Sequence, residues 1–322
     1  MSGTEETGSS LGAARTASAG PDALPRALSP LQVWLAGSRP RTLVAGAAPV
    51  LVGAAAAWGA PGYRPVAVLL ALIGALALQA ASNMINDVGD GQSGIDTARR
   101  VGPLRLVASG LAAPGQMWLA AGTSILIAFI AGIGLALMAG WPIVAIGLLA
   151  ILTAAGYTVG PAPLGRLGLG ELAAFVFFGP VAVLGTAAAA TGRWSDLPLV
   201  WSLPTGLLAG ALMMANNLRD RESDAAVGKR TIAVRNATAA RLLYRAMIAG
   251  AVGVPLVLSI WSERPLVALA AGVMSPFAMR AALAIPGGRS GRELAPALGR
   301  MADLFAVTTF ALVAALIASH GA

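Results

Sequence analysis

The sequence predicts an all-α integral membrane protein in which nine transmembrane helices form a bundle and an acidic motif occurs twice. Three observations lead to this prediction. Of the 322 residues, 57% are hydrophobic and only 11% are charged, whereas soluble domains typically have roughly a quarter charged residues. Nine apolar runs, long enough to cross a bilayer, follow one another along the chain. Six of the 14 acidic residues lie in two short windows where such runs end.

The first 30 residues are predicted to form a disordered cytoplasmic tail. They are rich in Gly, Ser, Ala and Thr and contain no apolar run, and a segment that cannot bury apolar surface stays unfolded. Glu5 and Glu6 stand where a secretory signal peptide would carry positive charge, so no such signal is expected. Residues 31–322 are predicted to form one polytopic membrane domain.

The predicted spans are bounded by Gly, Pro or charged residues. They extend over Leu43–Ala60, Pro65–Met84, Met117–Ala139, Pro142–Val159, Leu172–Ala190, Leu199–Leu218, Ala240–Ile260, Pro265–Ile285 and Met301–Ser319. A helix needs about 20 mainly apolar residues to cross the hydrocarbon core of a bilayer. Nine such helices would occupy more than half of the chain, which leaves short connections and no large soluble domain.

The distribution of basic residues predicts the orientation in the cell membrane. With a cytoplasmic N-terminus, 19 of the 22 Lys and Arg residues fall on the cytoplasmic side, and only Arg64, Arg193 and Arg264 fall on the other. Cytoplasmic loops of membrane proteins carry such an excess of positive charge. The C-terminus and His320 are therefore expected on the opposite face. Because the same rule explains the net charge of +8, no nucleic-acid partner is expected.

The chain lacks several residue types on which common catalytic sites depend. It has no Cys, which excludes disulfides, thiolate nucleophiles and zinc–thiolate sites. Its single His is at position 320, close to the C-terminus, so histidine-ligated metals and a histidine general base are not expected. Carboxylates, amides and hydroxyls remain for any chemistry.

The first acidic window lies where the second predicted span ends. Asn83, Asp87 and Asp90 follow one another at i, i+4 and i+7, a spacing that places them on one face of a helix. Asp96 follows in the loop and is expected to help place a metal ion or a nearby cation. Carboxylates at a membrane boundary are costly to desolvate unless a cation lies between them.

The second window lies where the sixth predicted span ends. Asn217, Asp220 and Asp224 occupy i, i+3 and i+7, again on one helical face. Two such helices, each with one amide and two carboxylates, would form an all-oxygen site that suits Mg²⁺. The alternative is that acids in the loops merely balance arginines in the loops. The spacing, the position and the repetition favour the metal site.

Basic residues follow each acidic window and predict a site for a diphosphate group. Arg100 and Arg105 follow the first window, and Lys229 and Arg230 follow the second. Lys229 is the only lysine of the chain, and a compact ammonium group suits a phosphate as a point charge. Together with a divalent metal, these cations would hold the diphosphate of a substrate.

The two acidic motifs resemble those of the UbiA superfamily of intramembrane aromatic prenyltransferases. Further strings resemble the branch that prenylates 1,4-dihydroxy-2-naphthoate in menaquinone biosynthesis. These strings are Ser38–Leu43, Gly94–Thr97, Arg100–Arg105, Ser109–Gly110, Gly170–Leu172, Phe177–Val181, Ala215–Asp220 and Gly228–Arg235. Ser223 stands where a Thr is usual before the second acid of the second motif, a change that keeps the hydroxyl group.

The resemblance implies that a polyprenyl chain is transferred from polyprenyl diphosphate to 1,4-dihydroxy-2-naphthoate in the presence of Mg²⁺. Diphosphate and carbon dioxide would leave, and the product would be a demethylmenaquinol. Metal ions and cations around the diphosphate would stabilise the negative charge that develops on it. A cavity inside a helical bundle would keep water away from the allylic cation.

Two further residues have open interpretations. The ring of Tyr157, near the end of the fourth span, is a candidate for shielding the allylic cation, but tyrosines also anchor helices at membrane interfaces. Glu171 opens the fifth span; it is expected to cap that helix or bind Arg166, with contact to a substrate as the alternative.

Two other functions are compatible with parts of this pattern. A related prenyltransferase could use another aromatic or lipid acceptor. A membrane transporter could also carry repeated polar motifs, but transporters place their binding groups near the midplane of the bilayer. Here both acidic windows lie at the cytoplasmic ends of predicted helices, which favours the enzyme.

Overall fold

A computed structural model describes residues 28–92, 105–157, 163–196 and 198–320, and these ranges contain helices and connections but no strand. The helices are α1 (Pro30–Gly37), α2 (Pro40–Ala56), α3 (Pro65–Gln92), α4 (Pro114–Ala139), α5 (Pro142–Gly156), α6 (Leu164–Leu167), α7 (Gly170–Val176), α8 (Ala182–Thr191), α9 (Leu199–Arg219), α10 (Arg221–Ala226), α11 (Ile232–Arg235), α12 (Ala237–Trp261), α13 (Pro265–Ala282) and α14 (Ala295–Ala318). The π-helical turn Phe177–Val181 joins α7 to α8, and the 3₁₀ turn Gly291–Leu294 precedes α14. The prediction of an all-helical fold is confirmed for this part of the chain.

Every predicted apolar run overlaps helical structure, with ends that differ by a few residues. Within the described ranges, seven helical segments are long and apolar enough to cross a membrane. These are Pro65–Gly89, Pro114–Ala139, Gly170–Thr191, Leu199–Arg219, Ala237–Trp261, Pro265–Ala282 and Gly291–Ala318. The first and fourth predicted spans form the shorter apolar helices Thr42–Ala56 and Pro142–Gly156. The multi-pass membrane character is thus supported, while the count of nine spans stays a prediction.

Local sequence signals set where several helices begin. Helices α2, α4, α5 and α13 each carry proline in the first turn, where the missing N–H costs nothing and the fixed φ suits the helix. The Asn236 side chain caps α12 by accepting hydrogen bonds from the N–H groups of Thr238 and Ala239. Ser29 and Gln32 form a capping box at α1, a helix that precedes the predicted spans. Residues 1–27 of the predicted tail lie outside the described residues.

The fifth predicted span is interrupted in its middle. Pro180 lies inside the π-helical turn, and Gly179 has non-helical dihedral angles there, because proline cannot continue a regular hydrogen-bond ladder. The interrupted segment packs against α9 at the point where Gly179 meets Gly206. A Cβ atom on Gly179 would lie 2.9 Å from the Cα of Gly206, so this close approach depends on small residues.

The outer surface of the bundle is apolar. Leu137, Trp261 and Phe310 are each more than four-fifths exposed, and an apolar surface of this kind marks contact with lipid rather than water. Inside the bundle, the largest core cluster joins α9, α12 and α14 and includes Leu208, Met214, Tyr244 and Phe305 among others. This core cluster therefore supports α9, the helix at whose end the second acidic window lies.

The two acidic windows differ in backbone structure. Helix α3 continues beyond the predicted end at Met84 to Gln92, so the first window is helical as expected. In contrast, α9 ends at Arg219, Asp220 is its C-cap, and Asp224 belongs to the separate short helix α10. The expectation of one continuous helical face over Asn217, Asp220 and Asp224 was therefore wrong. The N–H of Asp224 still donates to the carbonyl oxygen of Asp220 at 2.8 Å, which keeps the two residues on adjacent turns.

Candidate active site

A cavity of about 880 Å³ lies between the helices and is lined by residues of both acidic windows. We call one part of its lining the polar end, formed by Asn83, Asn86, Arg105, Asn217, Arg219, Asp220, Asp224 and Lys229; Arg39, Gln79 and Arg166 are further charged or amide-bearing residues of the wall. The rest of the wall is mainly apolar and comes from α2, α3, α4, α5, α7, α8, α9 and α14. Along α5 the wall extends from Tyr157 to Ile143, a length of about 21 Å at the rise of an α-helix. A polar head and a long apolar tail could occupy this cavity together.

Asp220 is held at the polar end by its neighbour in the chain. The Nε and Nη2 atoms of Arg219 donate to Oδ1 and Oδ2 of Asp220 at 2.7 and 2.6 Å. Paired contacts of this kind are the strong, geometrically specific form of a charge-assisted hydrogen bond. Arg219 is buried, so the pair presents a fixed carboxylate and a fixed guanidinium group to the cavity.

Asp224 and Lys229 form a second ion pair in the same wall. The Nζ atom of Lys229 lies 2.9 Å from Oδ1 of the buried Asp224. The backbone N–H of Lys229 also donates to the carbonyl oxygen of Asp224 at 2.9 Å, which folds the intervening loop back onto α10. The structure therefore brings the lone lysine to the polar end, as the sequence interpretation requires for contact with a diphosphate.

Asp87 does not line the cavity, although the first motif predicted it as a metal ligand. Its carboxylate is 1% exposed and accepts hydrogen bonds from the N–H groups of Leu106 and Val107 at 3.1 and 3.0 Å. The Nη2 atom of Arg39 lies 3.6 Å from Oδ2 of Asp87. Asp87 thus holds the backbone of Leu106 and Val107, and the preceding residue, Arg105, is buried and lines the cavity.

The two predicted amides both line the cavity and are both held through their nitrogen atoms. The Nδ2 atom of Asn83 donates to the carbonyl oxygen of Ser38 and to Oγ1 of Thr42, each at 2.9 Å. The Nδ2 atom of Asn217 donates to Oε1 of Glu171 at 2.8 Å. Glu171 therefore pairs with Asn217, and the expectation that it binds Arg166 has no counterpart among the contacts of the described residues.

Sequence reasoning missed Asn86, which lines the cavity beside Asn83. The signal was present in the spacing: Asn83, Asn86 and Asp90 stand at i, i+3 and i+7, as Asn217, Asp220 and Asp224 do. The residue that corresponds to Asp220 in the first window is thus Asn86 rather than Asp87. Asp90 belongs to α3, but its side chain is outside the described part of the structure, as are Asp96 and Arg100.

Arg39 was also missed as a site residue. It lines the cavity, and its backbone adopts the left-handed conformation at φ 51° immediately before α2. A non-glycine residue in this region is strained, and such strain is concentrated at functional sites. The Ser-Arg-Pro string marks the start of a helix, but it does not indicate where the arginine side chain lies.

Tyr157 and Arg230 have different positions relative to the cavity. Tyr157 follows α5 and lines the cavity, with its hydroxyl group 3.2 Å from Sδ of Met213. A Cβ atom on Gly170 would lie 2.8 Å from the Tyr157 hydroxyl oxygen, so the glycine makes room for the ring. The Arg230 side chain is exposed and is not among the residues that line the cavity, although it was predicted to bind diphosphate.

Comparisons with known proteins agree with this architecture. The model of the UbiA prenyltransferase family matches residues 47–302. A 1,4-dihydroxy-2-naphthoate octaprenyltransferase of Mycobacterium tuberculosis is 44% identical over 269 residues, which cover 82% of this chain and 90% of that protein. The protein of the same description from Escherichia coli is 36% identical over 214 residues, covering 65% and 70%.

A solved structure shares the fold at low sequence identity. The UbiA homolog from Archaeoglobus fulgidus bound to DMAPP and Mg²⁺ is 17% identical and superimposes with a TM-score of 0.60. The superposition covers 87% of this chain and 99% of that one.

Proposed function

Because the chain belongs to the UbiA prenyltransferase family, we propose that it transfers a polyprenyl group from polyprenyl diphosphate to 1,4-dihydroxy-2-naphthoate. Diphosphate and carbon dioxide leave, and the demethylmenaquinol produced is a precursor of menaquinone. The cavity carries this proposal, since it joins a polar end that suits a diphosphate to a long apolar wall that suits a prenyl chain. Identity of 44% to a naphthoate prenyltransferase supports the choice of acceptor.

The donor set at the polar end fits Mg²⁺. The cavity is lined by amide side chains of Asn83, Asn86 and Asn217 and by the carboxylates of Asp220 and Asp224, all of which offer hard oxygen ligands. Mg²⁺ typically takes one or two carboxylates and completes its shell with water and phosphate oxygens, so the two carboxylates of the cavity wall are enough for it. When bound, the ion would neutralise charge on the diphosphate.

The chain's own cations stabilise the leaving group. Lys229 and Arg105 line the polar end, and both can donate charge-assisted hydrogen bonds to phosphate oxygens. As the allylic carbon–oxygen bond breaks, its electron pair goes to the diphosphate. Fixed cations then bind the diphosphate more tightly than they bind the intact donor.

The apolar wall protects the allylic carbon until the naphthoate attacks it. Phe177, Phe178 and Tyr157 line the cavity, and an aromatic face attracts a nearby cation. The new bond forms at the ring carbon that carries the carboxylate, and loss of carbon dioxide returns the electron pair to the ring. No side chain has to remove a proton from that carbon, which agrees with a polar end built without His or Cys.

The proposed activity can be tested with purified protein in detergent or liposomes. We expect the protein, with Mg²⁺ and a series of prenyl diphosphates, to convert 1,4-dihydroxy-2-naphthoate into a prenylated product with release of carbon dioxide. The control acceptor is 4-hydroxybenzoate. Prenylation of the control acceptor alone would assign a different substrate. Uptake of a solute into liposomes without any prenylated product would favour the transporter.

We further propose that all nine apolar helices cross the membrane and that the polar end faces the cytoplasm. The 19 to 3 division of basic residues between the two faces supports this orientation. Since the chain has no Cys, single cysteines can report it. We expect Thr238→Cys, at the start of α12, to react with an impermeant thiol reagent from the cytoplasmic side only.

Two matched variants place the single cysteine at helix ends that are predicted to face away from the cytoplasm. Ser262→Cys, at the opposite end of α12, and His320→Cys, after α14, are exposed positions that we expect to react only from outside. Labelling of His320→Cys from the cytoplasm would mean an even number of spans and would refute this topology.

A further inference from the structure

Glu171 is a buried carboxylate that the proposed transfer reaction does not use. It lies in the first turn of α7, is 3% exposed and is not among the residues that line the cavity. Its Oε1 atom accepts the hydrogen bond from Asn217 at 2.8 Å. Its Oε2 atom is buried without a hydrogen-bond partner among the described residues. Burial of a carboxylate oxygen without a hydrogen-bond partner is costly, so we expect Glu171 to have a role that offsets this cost.

The contact with Glu171 determines which way the Asn217 amide faces. An amide has a donor end and an acceptor end, and the Nδ2 donor of Asn217 faces Oε1 of Glu171. The carbonyl oxygen is then the polar atom that Asn217 can offer to the cavity that it lines.

The first acidic window repeats this arrangement with different partners. Asn83 also lines the cavity, and its amide nitrogen donates to the backbone carbonyl oxygen of Ser38 and to the Thr42 hydroxyl oxygen. A backbone carbonyl can only accept, so the orientation of this amide is determined as well. In both windows the nitrogen is engaged and the oxygen, the atom that binds hard cations, is left for the cavity.

We propose that Glu171 is a positioning residue that orients the Asn217 amide so that its oxygen binds a divalent cation at the polar end. This inference rests on the proposed function, which places Mg²⁺ and diphosphate there. Partners that orient a ligand of a metal typically change metal affinity by about 10-fold to 100-fold when they are removed. Glu171 would act on the cation through Asn217 and would touch neither substrate.

Metal binding can be measured without turnover. The probe is Mn²⁺, which takes the same oxygen ligands as Mg²⁺, titrated into detergent-solubilised protein with inorganic diphosphate and followed by electron paramagnetic resonance. We expect Glu171→Met, which keeps the length but offers only a weakly accepting sulfur in place of the carboxylate oxygen, to weaken Mn²⁺ binding roughly 10-fold. Glu171→Gln keeps an acceptor oxygen and is expected to bind Mn²⁺ nearly as the unaltered protein does.

A double-mutant cycle separates positioning from a general structural role. Asn217→Ala should weaken Mn²⁺ binding by itself, and adding Glu171→Met to it should cause no further loss. Thr205→Val is the matched control. Thr205 lies on α9, as Asn217 does; it is buried and forms a hydrogen bond, but it does not line the cavity. We expect this control to leave the Mn²⁺ affinity unchanged. Thermal unfolding without metal reports whether each variant folds, and Glu171→Ala replaces Glu171→Met if the latter does not.

Several outcomes would overturn the inference. These are unchanged Mn²⁺ affinity in a folded Glu171→Met or Glu171→Ala protein, or a further loss when either is added to Asn217→Ala. Prenyl transfer by the unaltered protein together with such a result would leave the proposed function standing and remove only the role of Glu171. If the variants show the expected Mn²⁺ affinities but the unaltered protein prenylates no naphthoate, the role of Glu171 stands and the proposed function is refuted.

Discussion

Replacing Asp220 by asparagine is expected to lower kcat for prenyl transfer by roughly 100-fold to 1000-fold, the typical effect of removing one group that stabilises developing charge. Asp220 is the C-cap of α9 and lines the polar end. Its carboxylate accepts hydrogen bonds from Nε and Nη2 of Arg219. Asparagine keeps the shape of the side chain and one acceptor for Arg219. The variant should therefore fold while losing the charge that holds a divalent cation.

The control for Asp220→Asn is the same chemical change on a neighbouring helix. Asp303 is exposed on α14 and does not line the cavity, so Asp303→Asn should retain activity. Measurement of kcat across a Mg²⁺ titration separates weaker metal binding from loss of the chemical step.

We expect Asp224→Asn, Asp90→Asn and Asp87→Asn to remove most turnover too, Asp87→Asn by releasing the loop that carries Arg105. Near-normal turnover of any two of the Asp220, Asp224 and Asp90 variants at every Mg²⁺ concentration would refute the metal site.

Replacing Lys229 by alanine is expected to lower kcat/KM by about 10-fold to 150-fold, since a hydrogen bond to a charged group is worth about 1.5 to 3 kcal/mol. Lys229 lines the polar end and lies 2.9 Å from Asp224. Its contact with the diphosphate should strengthen as the carbon–oxygen bond ionises. The variant should therefore lower kcat, and not only raise KM for the donor, because uniform binding of ground state and transition state affects KM alone.

Two comparison variants sharpen this prediction. Lys229→Arg should recover part of the activity, because a planar guanidinium group retains the charge but demands a different geometry. Arg292→Ala removes an exposed cation that does not line the cavity and should leave the donor kinetics unchanged. An effect of Lys229→Ala confined to KM for the naphthoate would place Lys229 away from the diphosphate.

Several features of this protein follow from the sequence alone because they depend on neighbouring residues. Apolar runs, prolines at helix starts and side-chain caps act within a few turns, and helical structure overlaps every predicted run. The family could be recognised from its motifs, and the family match confirms it. The position of Lys229 five residues after Asp224 indicated a shared site, and the structure places both in the cavity wall.

Other features depend on contacts between distant parts of the chain. Asp87 and Asn86 are adjacent in sequence, but packing of the loop at Leu106 and Val107 buries Asp87 and leaves Asn86 at the cavity. The pairing of Glu171 with Asn217 joins residues 46 positions apart. The exposure of Arg230 and the helix break at Asp220 were likewise not indicated by the spacing of the motif. Helical periodicity determines which residues share a face, whereas only tertiary packing determines whether that face meets a cavity, a loop or solvent.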